Sequence, residues 1–155
     1  MEGNNTPIDN ANDANFFANP PIANMKNFPK LIYPELSYKI TGILFIVHNE
    51  LGRYRNEQQY ADAIENYLKK YKIPYEREKI LPQSFEGEEK GRNKVDFLIK
   101  NKIVLEIKAK PFISNDDYRQ VRRYLAALDR KLGLLVNFRQ RYIKPKRILN
   151  SLAKE

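Results

Sequence analysis

The 155-residue chain contains no cysteine and a single histidine, His48. The first absence excludes structural disulfides, iron–sulfur clusters, cysteine zinc sites and cysteine nucleophiles. The second excludes a histidine-rich metal site within one chain. Long apolar runs are also missing. The longest, Gly42 to Val47, falls far short of the roughly 18 residues of a membrane span. The first 25 residues have neither a basic start nor an apolar core, so no signal peptide is expected. The expectation is a soluble, cytoplasmic protein with no membrane partner.

What is present is positive charge, unevenly spread. The formal net charge is +9. Residues 1–29 carry −2 and residues 30–89 carry −1, whereas residues 90–155 hold 18 basic and 6 acidic side chains, a net of +12. A basic half points to a polyanionic partner, most often nucleic acid. A solvated lysine-rich surface accounts for the charge equally well when charge is taken alone.

Residues 1–29 contain eight asparagines and four prolines. Such a stretch cannot bury enough apolar surface to offset its ordering entropy, so a disordered tail is expected there. One domain is expected over 30–155. Ser37 is a plausible cap for a helix over about 38–51, with Ile40, Leu44, Val47 and Leu51 on one stripe. At the edge of this helix, the lone His48 is read as a packed or surface residue rather than a ligand. A second helix is expected from about Asn56 to Tyr71, with Tyr60, Ile64, Tyr67, Leu68 and Tyr71 facing the core. Glu57 lies at its start and projects from that same face. Strands are expected over 75–81, 94–99 and 103–109, with a possible short one near Ser84 and Phe85. A capping-box-like Ser114/Asp117 pair opens a third helix over about 115–131. Two more strands are expected over 134–138 and 142–149, the last interrupted by Pro145. The order α-α-β-β-β-α-β-β reads as an α/β domain with helices packed on a mixed central β-sheet.

The chemistry concentrates in Lys94–Ile99 and Ile103–Ala109. Asp96, Glu106 and Lys108 are charged residues within otherwise apolar strands, and an unpaired buried charge is expensive. Residues two apart on a strand share a face, so Glu106 and Lys108 point the same way. If residues 100–102 form a three-residue hairpin loop, paired positions sum to 202 and Asp96 meets Glu106. A two-residue loop would put the two acids on opposite faces. In the first register the adjacent carboxylates repel, and a divalent cation would remove that conflict. Oxygen ligands of this kind suit Mg²⁺ or Mn²⁺. The plainer alternative is a salt bridge between Lys108 and one acid at an exposed sheet edge.

A longer series of segments bears on that choice. It runs Ile46-Val47-His48-Asn49-Glu50-Leu51-Gly52, Glu57-Gln58-Gln59-Tyr60 and Ile73-Pro74-Tyr75-Glu76-Arg77-Glu78. It continues with Gly91-Arg92-Asn93-Lys94-Val95-Asp96-Phe97-Leu98-Ile99 and Leu105-Glu106-Ile107-Lys108-Ala109. It closes with Gln120-Val121-Arg122-Arg123-Tyr124-Leu125 and Leu132-Gly133-Leu134-Leu135-Val136-Asn137-Phe138. In this order, from Tyr38 to Leu149, the chain resembles the GxxExxY branch of the PD-(D/E)XK nuclease superfamily. The resemblance implies a restriction-endonuclease-like core with a metal at one end of the sheet. The family's helix acid falls on Glu57, its sheet acids on Asp96 and Glu106, its lysine on Lys108, and the glutamine of the following helix on Gln120. Tyr60 matches the family's tyrosine, with core packing its expected role. Tyr54 stands where the family has its opening glycine, although Gly52 is present just before it.

The expected function is a metal-dependent nuclease that hydrolyses phosphodiester bonds, with DNA the expected polymer. Asp96 and Glu106 would hold Mg²⁺ or Mn²⁺, assisted by the carbonyl of Ile107 and by Glu57. Lys108 would position the nucleophile, with Gln120 shaping the site. Arg119, Arg122, Arg123, Arg139, Arg141, Lys144, Lys146 and Arg147 are candidates for phosphate contact. A homodimer could cut both strands, and no sequence feature shows one. The alternative is a non-catalytic nucleic-acid-binding or protein-interaction module on the same fold.

Overall fold

The structure, a computed structural model, describes residues 31–155. The tail expected over 1–29 lies outside the described residues. The chain divides into two units, residues 1–40 and 41–155. Of the first, the described part holds the opening turns of helix α1 (Pro34–Leu51). This helix begins four residues before the expected start. Proline suits a first helical turn, because its fixed φ is helical and its missing N–H would lack a partner there anyway. Ser37 therefore lies inside the helix, its Oγ donating to the Pro34 carbonyl.

The second unit contains the rest of α1, two further helices and five strands. Helix α2 (Glu57–Lys70) is capped by Asn56, which accepts from the Gln59 N–H while the Gln59 side chain accepts from the Asn56 N–H. Helix α3 (Asn115–Leu128) opens on the expected Ser114/Asp117 capping box. It closes at Asp129, in left-handed conformation. The strands are β1 (Tyr75–Ile80), β2 (Lys94–Ile99), β3 (Ile103–Lys108), β4 (Leu132–Asn137) and β5 (Lys146–Leu149). β5 starts only after Pro145, which cannot donate to a ladder. The strand considered at Ser84 and Phe85 does not form. Glu88 instead holds that loop through the Ser84 N–H and hydroxyl and the Asn93 amide.

The strands form one sheet in chain order. Only β3 and β4 run parallel; the other neighbours are antiparallel. The parallel pair needs a crossover, and α3 supplies it. One face of the sheet buries Leu98, Val104, Leu135 and Ile148 against Val121, Tyr124 and Leu125 of α3. Gly133 permits this close approach: a Cβ there would lie 2.7 Å from Val121 Cγ1. On the other face lies α2. Its Asp62 and Glu65 bind Arg77 of β1, which lies over the Phe97 ring. Tyr60 of α2 stacks on Phe138, with ring centroids 4.2 Å apart. Each fully buried aliphatic or aromatic side chain contributes roughly 1.5–3 kcal/mol.

Two local features position the charged residues of β2 and β3. The β2–β3 register is Phe97↔Leu105, Leu98↔Val104 and Ile99↔Ile103. Each pair sums to 202, so the hairpin takes the register that the metal-site reading demands. Lys100 and Asn101 turn the chain with φ of 52° and 54°. The second feature is a break in alternation. Val95 and Leu98, three apart, both join the core under α3, so the pleat is interrupted between them. Across the ladder, Glu78 of β1 has φ 52°, and the β1–β2 pairing skips the position between Arg77 and Lys79.

Candidate active site

Beyond Phe97↔Leu105 the regular ladder stops. The Asp96 N–H donates to Glu106 Oε1 at 3.0 Å, and the Ile107 N–H donates to Asp96 Oδ2 at 2.7 Å. Two side-chain carboxyls thus take the place of backbone carbonyls. The arrangement brings Asp96 and Glu106 together, as their paired register requires. Glu106 is only 4 % exposed. Burial, reinforced by the charge of Asp96, pushes its carboxyl up to about 8. Asp96 is also raised, chiefly by burial and then by the Glu57 charge, against the opposing pull of the Ile107 N–H and Lys108.

Glu57 approaches Asp96 from α2. It lines a small crevice with Gln58, Ala61, Arg77, Glu78 and Asp96. Two devices fix its approach. Arg77 binds Gln58 Oε1, Asp62 and Glu65, tying the first turns of α2 to β1. The buried Tyr60 hydroxyl donates to the Gly52 carbonyl at 2.6 Å and accepts from the Arg55 N–H, clamping the loop before Glu57. Gly52 has φ 73°, the left-handed conformation that glycine tolerates. The flexible residue of this loop is therefore Gly52, and Tyr54 is free to project outward. Tyr60 packs in the core as expected and also holds this loop.

Lys108 ends β3 with its Nζ 3.2 Å from Gln120 Oε1 of α3 and 3.9 Å from Asp117 Oδ1. Gln120 thus meets the lysine directly. Asp117, read from sequence only as a cap, also pairs with Lys110. Burial alone would raise Asp117, but Lys110 and the Ser114 hydrogen bonds hold it below the usual carboxylate range. Tyr124 of α3 is raised by burial and by the nearby Glu106. Asn137, which the sequence reading did not single out for the site, and Arg139, expected there only as a phosphate contact, fix the chain after Lys108. Buried Asn137 accepts from the Lys110 N–H and donates to the Lys110 carbonyl. Arg139 donates to the carbonyls of Arg53 and Ala109, joining the loop before α2 to the end of β3. The one available signal was an asparagine closing the apolar run of β4.

The basic candidates do not form one cluster. Arg119 pairs with Asp116 on the exposed side of α3, and Arg122 and Arg123 lie exposed beside it. Arg139 is engaged by the two backbone carbonyls. Arg141 lies over the Tyr142 ring, and Lys144 is exposed on the same loop. Lys146 and Arg147 lie on β5, where burial lowers Arg147. His48 is no ligand candidate: its Nε2 contacts the Gln140 carbonyl and its ring borders Phe138.

The donor chemistry fits a hard divalent cation. Two carboxyls raised chiefly by burial, Glu106 also by the Asp96 charge and Asp96 by that of Glu57, would regain their charge beside one. Among the described residues, no three Asp, Glu, His or Cys side chains converge as a full ligand set. Water would complete the coordination, as Mg²⁺ commonly requires.

Residues 34–148 match the model of the PD-(D/E)XK nuclease superfamily, and the chain belongs to that superfamily. No curated protein and no solved structure matches it. Membership suggests a nuclease with a nucleic-acid substrate, and nucleases of this superfamily usually use divalent metals. No described helix is long and apolar enough to cross a membrane.

Proposed function

We propose that this protein is a Mg²⁺- or Mn²⁺-dependent phosphodiesterase of the GxxExxY branch, acting on DNA in the cytoplasm. The observation that carries the reading is the replacement of the β2–β3 ladder by the Asp96 and Glu106 carboxyls, with Lys108 two residues along the same strand. A fold gains nothing structural from burying two acids side by side, and ordinary backbone pairing would be cheaper. Asp96, Glu106 and the Ile107 carbonyl would hold the cation, with Glu57, which lines the crevice beside Asp96, assisting. When bound, the cation supplies charge neutralisation at the phosphodiester. Lys108, steadied by Gln120, orients the attacking water and stabilises negative charge on the phosphoryl oxygens. The water oxygen forms the new bond to phosphorus, the bond to the leaving sugar oxygen breaks, and a proton passes to that oxygen. Arg119, Arg122, Arg123, Arg139, Arg141, Lys144, Lys146 and Arg147 supply positive field along the polymer's path. A homodimer forms no part of the proposal.

The test is cleavage of single- and double-stranded DNA and RNA, with and without Mn²⁺, by wild type and Lys108→Ala, alongside calorimetric cation binding. Cleavage that needs the metal and Lys108 is expected. A wild-type protein that binds neither cation and cuts no polymer would leave a non-catalytic module as the correct reading.

A further inference from the structure

The four most exposed aromatic side chains among the described residues are Phe112, Tyr54, Tyr142 and Phe85, at 84 %, 73 %, 71 % and 64 %. All four sit on loops, and topology gathers those loops at one place. β3 and β4 are parallel, so the chain leaving Lys108, with Phe112, and the chain leaving Asn137, with Tyr142, emerge at the same end of the sheet. β2 is antiparallel to β3 and β1 to β2, so the β1–β2 loop that carries Phe85 lies at that end too. Tyr54 is brought there by Arg139, which bridges the carbonyls of Arg53 and Ala109. This is the end that holds Asp96, Glu106 and Lys108. The connections at the opposite end carry Lys72, Lys100, Asn101, Lys102 and Asp129 and none of these rings.

Two of the rings, Tyr54 and Tyr142, are flanked by cations. Arg53 and Arg139 lie 5.0 and 5.9 Å from the Tyr54 ring centre, and Arg141 lies 5.3 Å from that of Tyr142. Four exposed rings around one site are not ordinary solvated surface. Exposed rings with cations beside two of them match a polymer with phosphates and bare π-faces. A duplex hides its base faces in the stack and offers mainly phosphates, whereas an unpaired strand offers both.

We propose that these loops form a stacking rim for unpaired nucleotides, so that the substrate is single-stranded polynucleotide or the single-stranded part of a larger one. The proposal rests on the nuclease reading for its setting, but the rim acts without the cation. Tyr54 holds a base beside Glu57, and Phe112 holds one beside the chain leaving Lys108.

Fluorescence anisotropy tests this with labelled strands of about 16 nucleotides, near the upper site size of single-strand binders. Four probes are used in EDTA: single-stranded DNA, single-stranded RNA, duplex DNA, and an abasic strand with the same phosphates. Wild type should bind one of the base-bearing single strands at least about fivefold more tightly than the abasic strand, the lower bound for one stacked base. It should also prefer that strand to the duplex. Tyr54→Ala with Phe112→Ala should bring affinity at least about fivefold down toward the abasic value, while Tyr54→Phe with Phe112→Tyr should retain it. Both positions are exposed, and circular dichroism checks that each variant is folded. Equal affinity for abasic and base-bearing strands, preference for duplex, no binding to any probe, or indifference to the double alanine change would overturn the proposal. Stacking-dependent binding without metal-dependent cleavage would instead sink the nuclease reading and leave the rim standing.

Discussion

The two ends of the β2–β3 hairpin are built on opposite terms. At the turn end, Ile99 pairs with Ile103 in a regular ladder and both side chains are fully buried. Toward the other end the ladder is given up, and Asp96 and Glu106 supply the acceptors that backbone carbonyls would have supplied. The first end contributes stability through apolar burial. The second accepts a buried acid pair that works against folding. Strain and polar burial of that kind gather where a site must bind something else.

The largest test breaks the open end. Asp96→Asn or Glu106→Gln should abolish cation binding in a calorimetric titration. Each should lower cleavage about 10³-fold, the scale of losing a preorganised electrostatic group. Cleavage unchanged in either variant would show that the pair is structural.

Next in size is the cost of Glu106 to the metal-free fold. Its carboxyl is raised from 4.5 to about 8, so the folded chain retains a proton that the unfolded chain releases between those values. Stability is therefore full below 4.5 and is lost as pH rises through 8. Glu106→Gln carries no such proton. In EDTA it should melt higher than wild type above about pH 8, with the difference closing below about pH 4.5. Parallel melting curves across that range would remove the basis for treating the open end as destabilising.

Two further changes probe the scaffold that holds the ends apart. Gly133→Ala should push on Val121 and cost about 1–3 kcal/mol in urea unfolding, the usual scale of overpacking. Tyr60→Phe removes the hydroxyl that bonds the Gly52 carbonyl and the Arg55 N–H, a loss of about 1 kcal/mol per bond. Its cleavage rate should fall by more than that stability change predicts, because the loop carrying Glu57 is released. The smallest effect belongs to the closed end. Lys100→Gly relieves a left-handed lysine and should add up to about 1 kcal/mol of stability without altering cleavage.

Most of the architecture was legible because periodicity and turn chemistry report it locally. The order of eight elements and the cap at Ser114 rest on neighbours in sequence, whereas the hairpin register was open between a two- and a three-residue loop until the strands were paired. The start of α1 was misread because Ser37 looks like a cap whether or not Pro34 has already begun the helix. Asp96, Glu106 and Lys108 stood out as charges inside apolar strands. Asn137 and Asp117 did not, and Arg139 was read only as a phosphate contact. An asparagine at a strand end, an aspartate in a capping box and an arginine in a loop each have an ordinary local reading. Their work at the site comes from partners 7 to 86 positions away, as with Lys110 and Asp117 or Arg139 and Arg53. The skipped pairing at Glu78 is likewise invisible without the neighbouring strand.

The exchanged ladder also gives the molecule two built-in spectroscopic probes. The Asp96 and Ile107 amide protons are each held by a carboxyl oxygen of the acid pair. Their NMR shifts and exchange rates therefore follow the charge on those carboxyls. A titration of pH or of divalent ion can be read at two backbone positions, with no label at the site and no substrate present.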